Sequence, residues 1–466
     1  MAYDVVVVGA GHNGLVCAAY LAGAGRRVCV LERRAVLGGC CSTEELWPGF
    51  RVSPAAYVIS LFLPEIIREL DLRAAGLEIL PREISSFTPL PDGRFLALGR
   101  GPEADTEAIR RFSASDARAY PEYQAFLTRV ARAVEPFMAE PPPEVPPRWP
   151  SSLGELGTWW RGWKAVRELG DELPAAVELL TGAAVPILER WFESEPLRAT
   201  LATDAVIGAF HPPSAPGSAY VLLHHVMGQA GGERGVWAYV RGGMGGLADA
   251  LVRRCESLGV EIRREAEVTG VNVAPARAGA GGGGGTRDDE ATGAVQGVTL
   301  ADGSVVEADL VVSGLDASRT MLGLVGREHL PGPYRSRLDA VDYSSASLKI
   351  NAALDGLPAF ETGELPRAEA LGGTIHVAPS LDYIERAHDD AKWGRPSPEP
   401  VLEVTIPSTV DPTLAPNGKH VMGLFVQYAP YDVRDGGWTR ERKEAFADRC
   451  FEVLERYAPG ITDLVL

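Results

Sequence analysis

The segment Gly9-Ala10-Gly11-His12-Asn13-Gly14 constrains this chain more than any other. It follows YDVVVV (residues 3–8), a short β-branched apolar run of the kind that fills a parallel strand buried on both faces. It precedes LVCAAYLAGAG, which reads as a helix ending at 23–25. A second apolar run, RVCVL at 27–31, closes a βαβ unit and ends on Glu32. In that setting Gly9 permits the tight turn, Gly11 lets backbone approach a pyrophosphate lying on the helix N-terminus, and Gly14 lets the helix pack closely on the sheet. Glu32, 21 residues after Gly11, is placed to accept hydrogen bonds from a ribose hydroxyl. A bare GxGxxG carries little weight. Strand, helix, second strand and acid in this order predict a dinucleotide site.

The residues leave two dinucleotides in contention. Arg33 and Arg34 follow the acid, and an arginine there can hold a 2′-phosphate, which is the case for NADP. Gly38-Gly39, just past the acid, offers backbone to a longer cofactor, and an α/β pattern resumes at 236–318, as in a nucleotide domain split by an insertion; both features favour FAD. In the resumed part, GGMGG at 242–246 leads into a helix, followed by strands at 260–263, 266–273, 294–300 and 304–312. Between the halves, 105–230 reads as mostly helical, with apolar helices at 174–190 and 196–207 and a proline-rich extended connector at 141–150. The Gly-rich stretch 279–293 reads as a flexible hairpin tip. Further strand-like pieces lie at 346–353, 401–406 and 420–427, a short helix is expected at 63–72, and the last helix spans 440–457.

Composition narrows the function classes. Across 466 residues the formal charge is −17, so the chain carries no general attraction for phosphate backbones, and nucleic acid is excluded as a partner. Six Cys with no CxxC spacing make neither a disulfide framework nor a zinc ribbon, and no apolar stretch reaches membrane-spanning length. The expectation is a protein of a reducing, cytoplasmic compartment whose membrane contact is peripheral at most.

The side chains that could move protons or meet a partner are few. The His224-His225 pair supplies the best acid or base, with His225 taken as the catalytic candidate, set against an ordinary packing role for one ring and solvent for the other. His12, His211, His329, His376, His388 and His420 show no ligand spacing, and no metal is expected. Trp159, Trp160 and Trp163 beside Arg161 and Lys164 read either as core of a helical domain or as an interfacial patch facing a membrane or a lipid-like substrate.

VVVGAGHNGLVCAAYLAGAG…VLERRAVLGGCCSTEE resembles the N-terminal FAD site of the phytoene desaturase and amine oxidase superfamily. FRVSPAAYVISLF, APGSAYVLLHHVMG, WAYVRGGMGGLADAL and VQGVTLADGSVVEADLVVSGLD are similar, more closely, to the pyridine nucleotide-disulphide oxidoreductase domain-containing protein 2 group, and the similarity runs through the whole chain. The resemblance implies an α/β fold: a discontinuous Rossmann-like FAD-binding domain with an inserted mixed, partly helical substrate domain. Its expected parts are 1–95 and 236–325 for the FAD domain and 96–235 and 326–435 for the substrate domain, with 436–466 the start of a further FAD-domain segment cut short at Leu466. By position, Gly9, Gly11, Gly14, Glu32, Arg33, Gly38, Gly39 and Thr43 would surround the ADP half of FAD, Val268 would offer backbone to the adenine, and Gly242 and Gly243 would face the substrate. Vicinal Cys40-Cys41 departs from the spaced pair that the word disulphide requires, and reads as two ordinary residues near the flavin. The implied activity is hydride removal from a C–H or C–N bond of an apolar small molecule, lipid-like substrates included, with an electron acceptor that the residues do not name. A redox-neutral flavin isomerase and a non-catalytic flavin-stabilised scaffold are the alternatives. Oligomeric state is not legible.

Overall fold

The computed structural model describes residues 3–138, 156–230, 232–275 and 293–466. The connector at 141–150 and all but the last residue of the 279–293 tip lie outside the described residues. Two six-stranded sheets organise the molecule.

The first sheet runs in the order Glu261–Arg263, Val28–Leu31, Tyr3–Val8, Val305–Ser313, Gly293–Leu300, Val268–Pro275. Its first four strands are parallel, with Val6 opposite Cys29 on one side and Val311 on the other. Val5 to Val8 are all buried, because helices cover one face and the 293–313 region the other. That double cover is why the run is apolar without alternation. Helix His12–Gly23 packs on helix Gly245–Ser257 through Leu15, Ala18 and Ala19 against Leu247 and Leu251. The segments that build this sheet are separated in sequence by more than two hundred residues, so the α/β unit is discontinuous.

The second sheet has the order Ser347–Leu354, His420–Gln427, Val401–Thr405, Thr374–Val377, Ser86–Pro89, Phe95–Leu98. Helix Arg440–Glu455 covers one face with Phe446, Cys450, Val453 and Leu454. Residues 86–89, inside the expected 1–95 part of the FAD domain, therefore pair in the second sheet, and the 440–455 helix packs there too rather than on the first sheet. A helical layer that includes Ala114–Met138, Glu195–Asp204 and Ser218–Met227 forms a separate core around Tyr123, Val130, Leu188 and Leu223. The apolar stretch 174–190 is two helices, Leu173–Thr181 and Ala184–Trp191, because Gly182 takes extended backbone between them. Among the described residues no helix is long and apolar enough to cross a membrane.

Candidate active site

The glycine loop joins strand Tyr3–Val8 to helix His12–Gly23. Gly9 sits at φ +91°, which only glycine adopts without strain. A Cβ on Gly14 would lie 2.3 Å from the Gly9 carbonyl oxygen, so the helix can approach the strand only if position 14 lacks a side chain. A Cβ on Gly11 would meet no atom within 4 Å. Gly14 is thus required by the fold, whereas Gly11 keeps clear a space that the fold itself does not fill. Gly38 and Gly39 back the loop: the Gly38 N–H donates to Ala10 O at 2.9 Å, and a Cβ on Gly39 would lie 3.1 Å from Gly11 Cα. The helix has no side-chain cap at its N-terminus, which leaves backbone N–H groups facing that space.

Glu32 is buried at the end of its strand, and both carboxylate oxygens are held. Oε2 accepts the Ala10 N–H and Oε1 the Arg34 N–H, each at 2.9 Å. Each oxygen keeps a lone pair for a ribose hydroxyl. Arg34 pairs with Glu44 at 2.8 Å, while Arg33 is exposed. The chain at 263–268 runs beside the acid, with Glu32 N–H donating to Arg263 O and Ala266 N–H to Glu32 O, which brings Val268 to this edge. Open space above Gly11, a fixed acceptor at Glu32 and free N–H groups fit the pyrophosphate and ribose of a dinucleotide.

Thr43, expected around the ADP half, spends its hydroxyl elsewhere. Oγ1 accepts the Gly245 N–H at 2.8 Å, and Ser53 Oγ accepts the Met244 N–H at 3.0 Å, so the two side chains cap helix Gly245–Ser257. Gly242 is held by buried Asp411 of the second sheet's connecting loop, through its N–H at 2.6 Å. Cys40 is exposed and Cys41 buried, both as free thiols, with Cys41 Sγ 3.5 Å from His12 Nδ1.

From Gly39 the chain runs past Thr43 and Ser53 to Tyr57, which lies at a buried polar cluster that sequence reasoning missed. The Tyr57 hydroxyl donates to Glu403 Oε1, and the Tyr57 ring lies 3.6 Å from Lys349 Nζ. Lys349 Nζ is buried and has no hydrogen-bond partner among the described residues. Burial pushes its pKa from the usual 10.5 down to about 7, with the Glu403 charge opposing the shift. Burial, then Glu403, raises the Tyr57 phenol well above its ordinary value, so it stays protonated and keeps donating. Lys349 pairs across the strands with Phe425 and has room because Gly423, diagonally opposite, has no side chain: a Cβ there would lie 2.9 Å from Nζ.

Tyr57 also lines a cavity of about 440 Å³ between the second sheet and the helical layer. Arg82, His376, Glu403 and His225 contribute its polar wall, while Tyr120, Tyr123, Leu127 and Leu222 give an aromatic and aliphatic one. Arg82 is anchored by Trp237 O at 2.8 Å and Thr374 Oγ1 at 2.7 Å. Burial lowers the His376 pKa, which keeps that ring neutral near pH 7. His225 Nδ1 donates to Val221 O at 2.9 Å, and the ring lies 5.3 Å from Trp237, centroid to centroid. With Nδ1–H committed to that carbonyl, Nε2 is the ring nitrogen left for a substrate. His224 does not line this cavity; burial and the neighbouring His225 lower its pKa.

Residues 14–463 match the family model described as flavin containing amine oxidoreductase. Pyridine nucleotide-disulfide oxidoreductase domain-containing protein 2 of Rattus norvegicus is 42% identical over all of this chain and 80% of its own length. Phytoene desaturase of Fusarium fujikuroi is 26% identical over 91% of this chain and 66% of its own length. Among solved structures, an oxidoreductase from Methanosarcina mazei shares the fold with a TM-score of 0.58 at 19% identity, covering 98% of this chain and 85% of that one.

Proposed function

The chain belongs to the flavin-containing amine oxidoreductases and is a FAD-dependent oxidoreductase, and from that premise we propose that it removes hydride from a C–H or C–N bond of a small molecule held in the 440 Å³ cavity. A flavin family with a dinucleotide-type glycine loop implies FAD rather than the mononucleotide, since only FAD has a pyrophosphate and an adenosine for Gly11 and Glu32 to serve. When bound, FAD supplies the two-electron acceptor.

The observation that carries the reading is the shared position of Tyr57. It lines the substrate-sized cavity on one side and touches Lys349 on the other, at the end of the segment that leaves the glycine loop at Gly39. Loss of hydride from an alcohol or amine leaves a proton to be taken up, and in this proposal its final acceptor is Lys349 Nζ, which lies behind Tyr57 in the adjoining pocket and is an amine above about pH 7. Tyr57, fixed by its hydrogen bond to Glu403, holds the cluster in register. His225 Nε2 and the Arg82 guanidinium orient the polar end of the substrate, and the tyrosine and leucine wall takes an apolar body and excludes water. The lining also carries Asp105, Asp204 and Arg234, and so supports a molecule with an apolar body and more than one polar contact.

The test is anaerobic mixing of the flavoprotein with a panel of amines, alcohols and unsaturated hydrocarbons. Bleaching of the flavin bands by one of them, and their return on adding an acceptor, is the expected result. A reaction that needs pre-reduced flavin and leaves it reduced would replace this reading with the isomerase.

A further inference from the structure

A helix on a globular protein buries its apolar stripe. Helix Leu156–Leu169 does the reverse. Thr158, Arg161, Gly162, Ala165 and Leu169 form its half-buried side, and Gly162 faces the Phe137 ring. Leu156, Trp159, Trp160, Trp163 and Val166, spaced i, i+3, i+4, i+7 and i+10, lie on the outer face. They are 58, 39, 61, 58 and 48% exposed. That side docks the helix, and three indoles point away from the protein.

We propose that this face is a docking surface for a lipid bilayer, on which the protein rests without crossing it. Residue type favours that occupant: an indole has an apolar body and a polar N–H, and settles at headgroup depth. Charge does too. In a chain of net charge −17, the exposed cations of this helix are Lys164 and Arg167, set against Glu168, which pairs with Lys164 at 3.6 Å. Lys164 Nζ lies 6.0 Å from the Trp160 ring centroid and Arg167 Cζ 5.4 Å from that of Trp163, so two cations stand at the level of the indoles, where lipid phosphates would be. A second copy of the chain fits worse. A twofold contact would set Lys164 and Arg167 against their own copies. The helix lies on Ala114–Met138, which walls the substrate cavity with Tyr120, Tyr123 and Leu127, so a bilayer seated there would be next to the element that bounds the site.

The experiment is flotation of the intact flavoprotein with phosphatidylcholine vesicles, with and without phosphatidylglycerol, alongside the triple variant Trp159→Ser, Trp160→Ser, Trp163→Ser. The wild type is expected to float, more strongly with the anionic lipid. The variant should lose at least roughly tenfold in partitioning while keeping its melting temperature and flavin content. Brominated lipid should quench part of the wild-type tryptophan fluorescence, a readout that decides the matter even where the triple variant does not fold. Wild-type protein that neither floats nor is quenched would overturn the proposal. So would equal flotation of a folded variant, or a wild-type dimer that becomes a monomer in the variant.

Discussion

The nucleotide loop and the Lys349 cluster solve the same problem, holding a polar group inside a protein, by opposite means. The loop uses backbone N–H groups and missing side chains, all within residues 9–39, and its buried acid, Glu32, accepts two backbone N–H groups. The cluster uses side chains drawn from across the chain, with Tyr57 and Glu403 separated by 346 positions, and leaves the Lys349 amine buried against the Tyr57 ring with no hydrogen bond among the described residues. The first is compatible with stability. The second costs stability, because a cation there has lost its water without gaining an anion in contact. A group kept at such a cost, beside a cavity, is where function is expected.

The sharpest way to break this contrast is within the loop. Gly11→Val should abolish FAD retention while leaving the melting temperature of the apoprotein unchanged, because the new side chain enters space that no protein atom occupies. Gly14→Val should instead destabilise the fold itself, through its clash with the Gly9 carbonyl. Flavin-to-protein ratios and thermal melts separate the two, and a stable Gly11→Val protein with normal flavin content would remove the assignment.

Lys349→Met should lower turnover by about 10²–10⁴-fold with FAD still bound. It should also make the protein more stable near neutral pH, by roughly 2–4 °C in Tm. The sign follows from the two pKa values. Lys349 titrates at about 7 when folded and at its usual 10.5 when unfolded, so between these values the unfolded chain binds the extra proton. The penalty is therefore complete below about pH 7 and fades as pH rises toward 10.5, and the variant's Tm advantage should shrink over that window. Turnover of the wild type should rise with pH through about 7, and the variant should lack that limb.

Glu32→Gln keeps the side chain's size while weakening it as an acceptor, and should reduce FAD affinity by roughly 1.5–3 kcal/mol, measured by titration of the apoprotein. His225→Gln should have the smallest effect, a change of about tenfold or less centred on KM, since the ring orients substrate in this account. If its loss matched that of Lys349→Met in kcat, the proton would belong to His225 and the division of labour would fail.

The same contrast explains what sequence reading could reach. Gly9, Gly11, Gly14 and Glu32 are legible because backbone geometry demands particular residues at fixed spacing over one βαβ unit. Thr43 sits in the same stretch, but only the fold reveals that its hydroxyl is taken by Gly245. Lys349 lies in SLKINAAL, where alternation separates two faces of a strand without saying that both are covered. A lone lysine on such a strand reads as solvent-facing. The expected 1–95 boundary missed that 86–89 joins the second sheet, because a four-residue strand carries no mark of its partner. Thr374–Val377, too short to be read at all, is that partner.

The most direct test of the central claim, that the glycine loop holds FAD for the chemistry at the Tyr57–Lys349 cluster, is the absorbance spectrum of the purified protein beside that of Gly11→Val. The account predicts flavin bands close to one per chain in the wild type and none in a folded variant. A colourless wild type that binds NADPH instead would contradict it.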